Sequence, residues 1–166
     1  MKKHSLTRQI TSIVSLLVAG AILLCWVLNT TLLPRYYMHN KKEVLMENYQ
    51  TISNASAQNE LDSDEFTVTF DNLCSNGNIM TLILQQDGKV VRSSVNDLNT
   101  LREEFWDVLL HADKMEVLYS NDKYQLLRKT DTRLDSEYLV LVGVLENGDM
   151  ILMRTAVESI RESAAI

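Results

Sequence analysis

The most constraining feature of this sequence is an uncharged, strongly apolar run near its start. Positions 9 to 34 carry no formal charge, and the stretch 13–28 is almost wholly apolar. A membrane helix needs about 20 apolar residues, because each residue adds about 1.5 Å towards a hydrocarbon core of about 30 Å. The run therefore predicts a transmembrane helix over residues 9–33. A cleaved signal peptide is the competing interpretation, but its apolar region is normally only about 7–15 residues long.

The distribution of charge predicts the orientation of this helix. The first eight residues contain three basic side chains and no acid. All 22 acidic residues follow Pro34 together with 13 of the 16 basic ones, so the remainder has a net charge of −9. The positively charged flank of a membrane helix stays on the cytoplasmic side. We therefore expect a cytoplasmic tail over residues 1–8, a single span in the cell membrane, and an extracytoplasmic location for residues from about 35 onward.

The part beyond the span is large enough for one domain with a single core, and it must fold without a disulfide framework. Cys25 lies in the span and Cys74 is alone beyond it. We expect Cys74 to be a buried, small apolar residue, with a bridge between subunits as the alternative. His39 and His111 have no His or Cys neighbours at zinc-ligand spacing, so no metal ligands are expected.

Apolar periodicity predicts a mixture of helices and strands in this domain. Helical spacing predicts an amphipathic helix over 36–56 and another over 97–112. Residues 65–74 fit both periods, and we favour a helix capped by Asp64. The predicted strands are 79–85, 89–93, 115–119, 124–129, 138–145 and 150–154. Asp-Gly and Asn-Gly pairs between them indicate hairpin turns. Strand 138–145 is apolar on both faces and is expected inside the sheet.

The end of the chain carries the spacing of a capping box. Thr155 and Glu158 stand three apart, and apolar residues recur behind them at helical intervals. In such a box each side chain bonds the backbone N–H of the other residue. The pattern predicts a helix over 155–166 that leads towards a second span beyond Ile166.

Two stretches carry a resemblance to a known family. The strand, Asp87-Gly88 turn and strand ending in VRSS, followed by a crossing helix and a meander, resemble the PAS-like, or Cache, extracytoplasmic sensor domain. The segment SEYLVLVGVLENGDMILMRTAVESIRES is similar to the last hairpin and exit helix of bacterial membrane sensor histidine kinases. That family often has proline where this chain has Ala156. The implied fold is α+β: a transmembrane helix continuing into a long helix, then a domain over 34–154 with five or six antiparallel strands and flanking helices.

The resemblance implies the signal-input region of a two-component sensor histidine kinase. Its implied partners are the lipid bilayer, a second copy of the chain, a small ligand, ion or peptide, and a response regulator acting through a kinase part. Pairing of the copies is expected through the face of Tyr49 and Ile52. No nucleic acid is expected, and ATP and Mg²⁺ belong only to the kinase part. The chain has no phosphoacceptor pattern and no GxGxxG, GxxxxGK[ST], HExxH or GxSxG motif, so no catalytic residue is assigned.

Two groups of residues are candidate binding sites. An arginine fork with neighbouring hydroxyls can hold a carboxylate. The ligand-binding candidates are Arg92, Ser93, Ser94, Tyr119, Tyr124 and Arg128. Carboxylates suit Ca²⁺ or Mg²⁺, although the spacing of an EF-hand is absent. The candidates for a cation patch are Glu60, Asp62, Asp64 and Glu65. In both groups, an ordinary solvated surface is the simpler alternative.

Two other functions compete with the receptor. A pilin-like subunit also joins an apolar helix to a small sheet domain, but the Gly-Phe processing site and the following glutamate of such proteins are absent. A membrane-tethered binding or structural protein without a kinase module is the second alternative. In that case the final helix would pack back on its own domain.

Overall fold

The computed structural model describes residues 3–131 and 136–157, and it has the α+β architecture that the sequence predicts. The helices are α1 (Lys3–Val27), α2 (Leu33–Ala57), α3 (Asp64–Gly77) and α4 (Leu98–His111). The strands are β1 (Ile79–Leu84), β2 (Val90–Ser93), β3 (Glu116–Ser120), β4 (Tyr124–Asp131), β5 (Ser136–Val144) and β6 (Met150–Val157). Contacts divide the chain after Tyr37 into two compact units.

The first unit is helical, and a wide turn lies next to its proline. A π-helical turn over Leu28–Leu32 connects α1 to α2 and ends two residues before Pro34. Proline has no backbone N–H and crowds the carbonyl four residues earlier, and a π-helical turn accommodates this without ending the helix. Among the described residues, one helical stretch is long and apolar enough to cross a membrane, and the side chains of its most apolar part are exposed. This is consistent with a single-span membrane protein.

The second unit is built on a six-stranded antiparallel sheet with the order β2-β1-β6-β5-β4-β3. The chain forms the β1–β2 hairpin, crosses with α4, and returns as a meander whose last strand pairs with β1. β5 lies between β4 and β6, which confirms that strand 138–145 is an inner strand. The hairpin turns at 85–89, 121–123 and 145–149 share one end of the sheet, here called the turn end. Thr155 and Ile79 pair at the other end, called the Thr155 end.

Apolar side chains cover both faces of the sheet and form two cores. On the first face, α2 and α3 contribute Ile52 and Phe70 among others. On the second face, α4 contributes Phe105 and Val108. These side chains are at most 1 % exposed, and each full burial stabilises the fold by about 1.5–3 kcal/mol. The domain therefore has three layers, with α2 and α3 on one side of the sheet and α4 on the other.

α4 lies across the strands rather than along them. Glu104 and Asp107, three residues apart and so on one side of the helix, pair with basic residues near the Thr155 end of β4 and β6. On the opposite side, Arg102 donates to a carbonyl in the β1–β2 turn (2.9 Å). Trp106 and Leu110 are 48 % and 72 % exposed. One side of α4 therefore faces the Thr155 end of the sheet and the opposite side faces the turn end. Its outer face is apolar and exposed.

The helix predicted over 65–74 is confirmed, but its cap is Ser63 and not Asp64. Ser63 has an extended backbone, and its hydroxyl accepts from the backbone N–H of Phe66 (3.1 Å). Asp64 is instead the first helical residue, where a carboxylate favours the positive end of the helix dipole. The helix ends at Asn78, whose φ of +49° is the left-handed conformation that asparagine tolerates.

The helix predicted from Thr155 is wrong for residues 155–157. β6 continues to Val157, and Thr155 pairs with Ile79 on one side and with Leu139 on the other. Ladder bonds to two neighbouring strands outweigh the two local bonds of a capping box. Residues 158–166, including Glu158, lie outside the described residues, so a helix there stays a prediction.

The face of α2 that was expected to pair two copies is buried in its own domain. Tyr49 and Ile52 are 2 % and 0 % exposed and belong to the core on the first face of the sheet. A second copy cannot reach them without unpacking that core. The helical stripe therefore indicated burial correctly, but its partner is the sheet.

Candidate functional site

The start of the domain and its last described strand meet at the Thr155 end of the sheet. The ammonium group of Lys41, in α2, donates to the carbonyl of Gly77 at the end of α3 (3.1 Å). The same nitrogen lies 3.5 Å from Oγ1 of Thr155 in β6. Thr155 is 2 % exposed, and its hydroxyl donates to the carbonyl of Asn78 (3.2 Å). We call Lys41, Gly77, Asn78 and Thr155 the junction.

Electrostatics explain why a lysine occupies this position. The last carbonyls of a helix have no partner within the helix and carry the negative end of its dipole. Lys41 brings a positive charge to that end of α3. The threonine hydroxyl satisfies a neighbouring carbonyl as the chain turns into β1. The junction thus connects α2, α3 and β6 through polar bonds at one point.

Replacing Lys41 with methionine should lower the free energy of unfolding of the domain by about 1–2 kcal/mol, because a charge-assisted hydrogen bond is lost while the apolar stem is kept. Lys42→Met is the matched control, since Lys42 has a similar partial burial but no hydrogen bond or ion pair in the described structure. Urea unfolding of the full chain in detergent, followed by Trp106 fluorescence in a Trp26→Phe background, measures both. Equal effects of the two variants would contradict this role.

At the turn end, three tyrosines form a stack between α2 and the sheet. The ring centroids of Tyr49 and Tyr124 are 4.5 Å apart, and those of Tyr124 and Tyr119 are 5.6 Å apart. The hydroxyl of Tyr49 donates to the carbonyl of Val144 (2.6 Å). Burial raises the pKa of Tyr49 and that of Tyr124, so both remain neutral phenols near pH 7. Two of these rings, Tyr119 and Tyr124, are ligand-binding candidates. The stack attaches α2 to β4, and Tyr124 also lines a surface cleft at the turn end.

Gly143 in β5 permits this stack. A Cβ at this position would lie 2.5 Å from Cβ of Tyr124 and 2.6 Å from the carbonyl oxygen of Lys123. These distances leave no room for a side chain. Glycine therefore allows β4 and β5 to approach where Tyr124 pairs with Gly143.

A charged network joins α4 to the sheet on its second face. Glu104 is 8 % exposed, and its Oε2 lies 2.6 Å from Nη1 of Arg154 in β6. Lys129 in β4 lies 2.8 Å from Asp107 and 3.9 Å from Glu104. The guanidinium of Arg154 also stacks on Tyr138 at 4.0 Å from the ring centroid, a favourable cation–π contact. The network therefore ties α4 to the strand residue next to Thr155.

Sequence patterns did not reveal this network. Glu104, Asp107 and His111 follow one another at helical spacing along one side of α4. That spacing was the available signal, but an acidic stripe on a helix usually faces solvent. Its burial depends on basic residues from two distant strands.

Acid should weaken the contribution of Asp107 to stability. A hydrogen bond from Lys129 lowers the pKa of Asp107. The stabilisation is therefore fully present above the pKa of an unfolded aspartate, about 3.9, and is lost as the pH falls through the lower folded value. We expect the difference in urea midpoint between the wild type and Asp107→Asn to shrink between pH 6 and pH 3. A difference that grows with acid would contradict the sign of this shift.

The first three ligand-binding candidates make internal contacts. Nη1 of Arg92 donates to the hydroxyl of Thr67 (2.9 Å), and its guanidinium carbon lies 5.7 Å from the ring centroids of two phenylalanines in α3. The Ser93 hydroxyl accepts from the backbone N–H of Val95 (3.2 Å). The Ser94 hydroxyl accepts from Thr81 N–H (2.8 Å). Arg92 thus holds α3 against β2, and the serines shape the turn after it.

The other candidates lie on the far side of the sheet. β1, β6 and β5 separate β2, which carries Arg92, from β4, which carries Tyr124 and Arg128. At about 4.8 Å per strand, four steps amount to about 19 Å. Arg128 forms an ion pair with Glu116 on the neighbouring strand (3.0 Å). The structure does not bring the six residues together, and their role in ligand binding stays a prediction.

The four carboxylates of the proposed cation patch do not line one site. Glu60 and Glu65 line a surface cleft of about 230 Å³ between α2 and α3, with Asn54 and Phe66, whereas Asp62 and Asp64 are not among its lining residues. In the part of the chain that the structure describes, no three His, Cys, Asp or Glu side chains form a group that could hold a metal ion.

A second cleft, of about 250 Å³, lies at the turn end between α4 and the meander. Phe105 and Leu109 of α4 line it together with Lys123, Val144 and Met150. Lys123 also forms an ion pair with Glu146 across the two adjacent turns, and the hydrogen bond in this pair raises the pKa of Lys123. The cleft is mostly apolar with a charged rim, a lining that small-molecule sites share, and its volume lies below their usual range of about 300–1,000 Å³.

Comparison with known proteins adds no family to this geometry. No protein-family model, no curated protein and no solved structure matches the chain. A functional assignment therefore depends on the residues and contacts of the chain itself.

Proposed function

We propose that this chain is the signal-input region of a membrane receptor, of the kind that the sensor histidine kinases represent. In this proposal the N-terminal helix anchors the sheet domain outside the cytoplasm, and a stimulus acts on that domain. The observation that carries the proposal is the junction. There Lys41, in the helix that follows the candidate span in sequence, contacts Thr155 in the last described strand.

This arrangement suits the transmission of a signal. A ligand changes a conformational equilibrium only when it binds two arrangements unequally, and each 1.4 kcal/mol of difference is about a tenfold shift in populations. A change in the sheet that moves β6 against α2 would alter the bonds of Lys41 and Thr155. A small sliding or rotation of one segment past the other would then be the output of the domain.

The input of the proposed receptor is a small ligand, an ion or a peptide. The apolar cleft at the turn end suits such a stimulus, because α4 contributes to its lining and also bonds to β6 through Glu104. A ligand that shifts α4 would therefore act on Arg154, one residue before Thr155. The response regulator and ATP of the proposal belong to a cytoplasmic kinase part.

The coding sequence downstream of codon 166 tests the class of protein. We expect a second apolar span, followed by a histidine with an acidic residue and a proline a few positions later. A stop codon directly after codon 166, or an unrelated domain without a second span, would exclude the histidine kinase assignment.

The junction should control output in the complete receptor. Lys41→Glu, which places a carboxylate against the carbonyl of Gly77, should change basal kinase activity in the absence of any stimulus. Lys42→Glu should leave it within twofold, because Lys42 takes no part in the junction. Autophosphorylation in membrane vesicles measures the basal activity of both variants. An unchanged basal activity in Lys41→Glu would contradict the proposal that the signal passes through the junction.

A further inference from the structure

One face of α4 exposes several large apolar side chains close together, whereas α3 exposes Val68 alone among its large apolar residues. Trp106 and Leu110 are 48 % and 72 % exposed and lie on the side of α4 away from the sheet. Leu109, 45 % exposed, lies beside them at the edge of the turn-end cleft. Isolated exposed apolar residues are common, but a contiguous group often marks an interaction site. We call Trp106, Leu109 and Leu110 the α4 patch.

We propose that the α4 patch is the contact between two copies of this chain, with the two α4 helices antiparallel. Such a contact is isologous, because the same patch is used by both copies around a two-fold axis. The large aromatic ring of Trp106 is the kind of anchor that dominates interfaces, and Leu110, one helical turn away, extends the apolar surface beside it.

Charge at the ends of the patch favours a second copy as the occupant. Glu103 precedes the patch and Lys114 follows it, and both are exposed. Neither forms an ion pair or a side-chain hydrogen bond within the described part of the chain. In an antiparallel pair, Glu103 of each copy comes to the end that carries Lys114 of the other copy. The surface is therefore complementary to itself in charge as well as in apolar character.

The direction of α4 makes this pairing compatible with a common anchor. Because α4 lies across the strands, a two-fold axis along the strands reverses α4 but keeps the strand direction. The Thr155 ends of both copies, with their Lys41 residues, then point the same way. Two chains anchored in one bilayer require this arrangement. The contact between the two α4 patches depends only on the described sheet domain. The direction of the two-fold axis rests on the proposed function, in which both copies are anchored in one membrane.

Sedimentation of the full chain in mild detergent tests the contact. We expect the wild type to be a dimer and Leu110→Glu to weaken the dimer by about 30-fold or more, as the loss of a central interface residue does. Val68→Glu is the matched control, because Val68 is an apolar helical residue, 63 % exposed, in the opposite layer of the domain. A monomeric wild type, or a Leu110→Glu chain as dimeric as the Val68→Glu control, would overturn the proposal.

Cross-linking in native membranes supplies a measurement that does not depend on detergent. In a Cys25→Ser background, Leu110→Cys should give a covalent dimer with a short bis-maleimide and Val68→Cys should not. Cross-linking at Val68 without cross-linking at Leu110 would assign the contact to the layer of α2 and α3 instead. Neither result changes the test of the receptor class, which depends on the downstream coding sequence.

Discussion

Replacing Gly143 with alanine should lower the free energy of unfolding of the sheet domain by about 2–3 kcal/mol. The added methyl group would lie 2.5 Å from Cβ of Tyr124 and 2.6 Å from the carbonyl oxygen of Lys123. Both contacts involve atoms of the strand backbone or next to it, so no flexible side-chain end can move aside. Overpacking of this kind typically costs about 1–3 kcal/mol, and here it also displaces a paired strand.

The effect should reach α2 as well, because Tyr124 stacks on Tyr49. We expect a loss of near-ultraviolet tyrosine dichroism together with the loss of stability. Gly20→Ala is the control, since apart from the backbone of its own helix no atom lies within 4 Å of a Cβ at that position. Urea unfolding of both variants in detergent measures the difference. A Gly143→Ala protein as stable as Gly20→Ala would show that β4 and β5 are further apart than described here.

Replacing Glu104 with alanine should lower the free energy of unfolding of the sheet domain by about 3 kcal/mol. The carboxylate is 8 % exposed and lies 2.6 Å from Arg154, whose own side chain is 19 % exposed. Removal of one partner of a buried ion pair leaves an uncompensated charge, and such variants typically lose about 3–5 kcal/mol. We expect the lower end of that range, because Arg154 keeps its contact with Tyr138.

Glu47→Ala is the matched control for this substitution. Glu47 is also a helical glutamate, but it is exposed and forms no ion pair within the described residues. A surface change of this kind normally alters stability by less than about 0.5 kcal/mol. Equal unfolding midpoints for the two variants would show that Glu104 is solvated. A stabilised Glu104→Ala protein would show that desolvation of the pair costs more than its attraction provides.

Much of the secondary structure could be predicted from local patterns. Asp87-Gly88 and Asn147-Gly148 mark hairpins because their glycines adopt φ values of +83° and +87°, which other residues disfavour. The apolar run of β5 on both faces indicated a strand covered on both sides, and two helical layers provide that cover. Each of these signals depends on a few neighbouring residues.

The failures occurred where distant strands decide the outcome. Thr155 has the local spacing of a helix cap, but pairing with β1 and β5 holds it in a strand. Arg92 gave no local signal that its guanidinium packs on aromatic rings of α3. The helical stripe containing Tyr49 could not reveal whether its partner was a second copy or the sheet. No local pattern contains the strand order that determines these three cases.

The junction and the charge network also could not be predicted from the sequence. Lys41 and Thr155 are 114 positions apart, and Glu104 and Arg154 are 50 apart. Both pairs depend on the placement of β6 between β1 and β5. The apolar run near the start is the sequence feature from which the membrane anchor of the proposed receptor was predicted.

The central proposal is an anchored domain outside the cytoplasm, and cysteine labelling tests it most directly. Asp122→Cys places a thiol in the exposed β3–β4 turn, in a Cys25→Ser background where the remaining Cys74 is buried. We predict that a membrane-impermeant maleimide labels this protein in intact cells whose outer layers are permeable to the reagent. Labelling that occurs only after the cell membrane is broken would place the sheet domain in the cytoplasm and contradict the account.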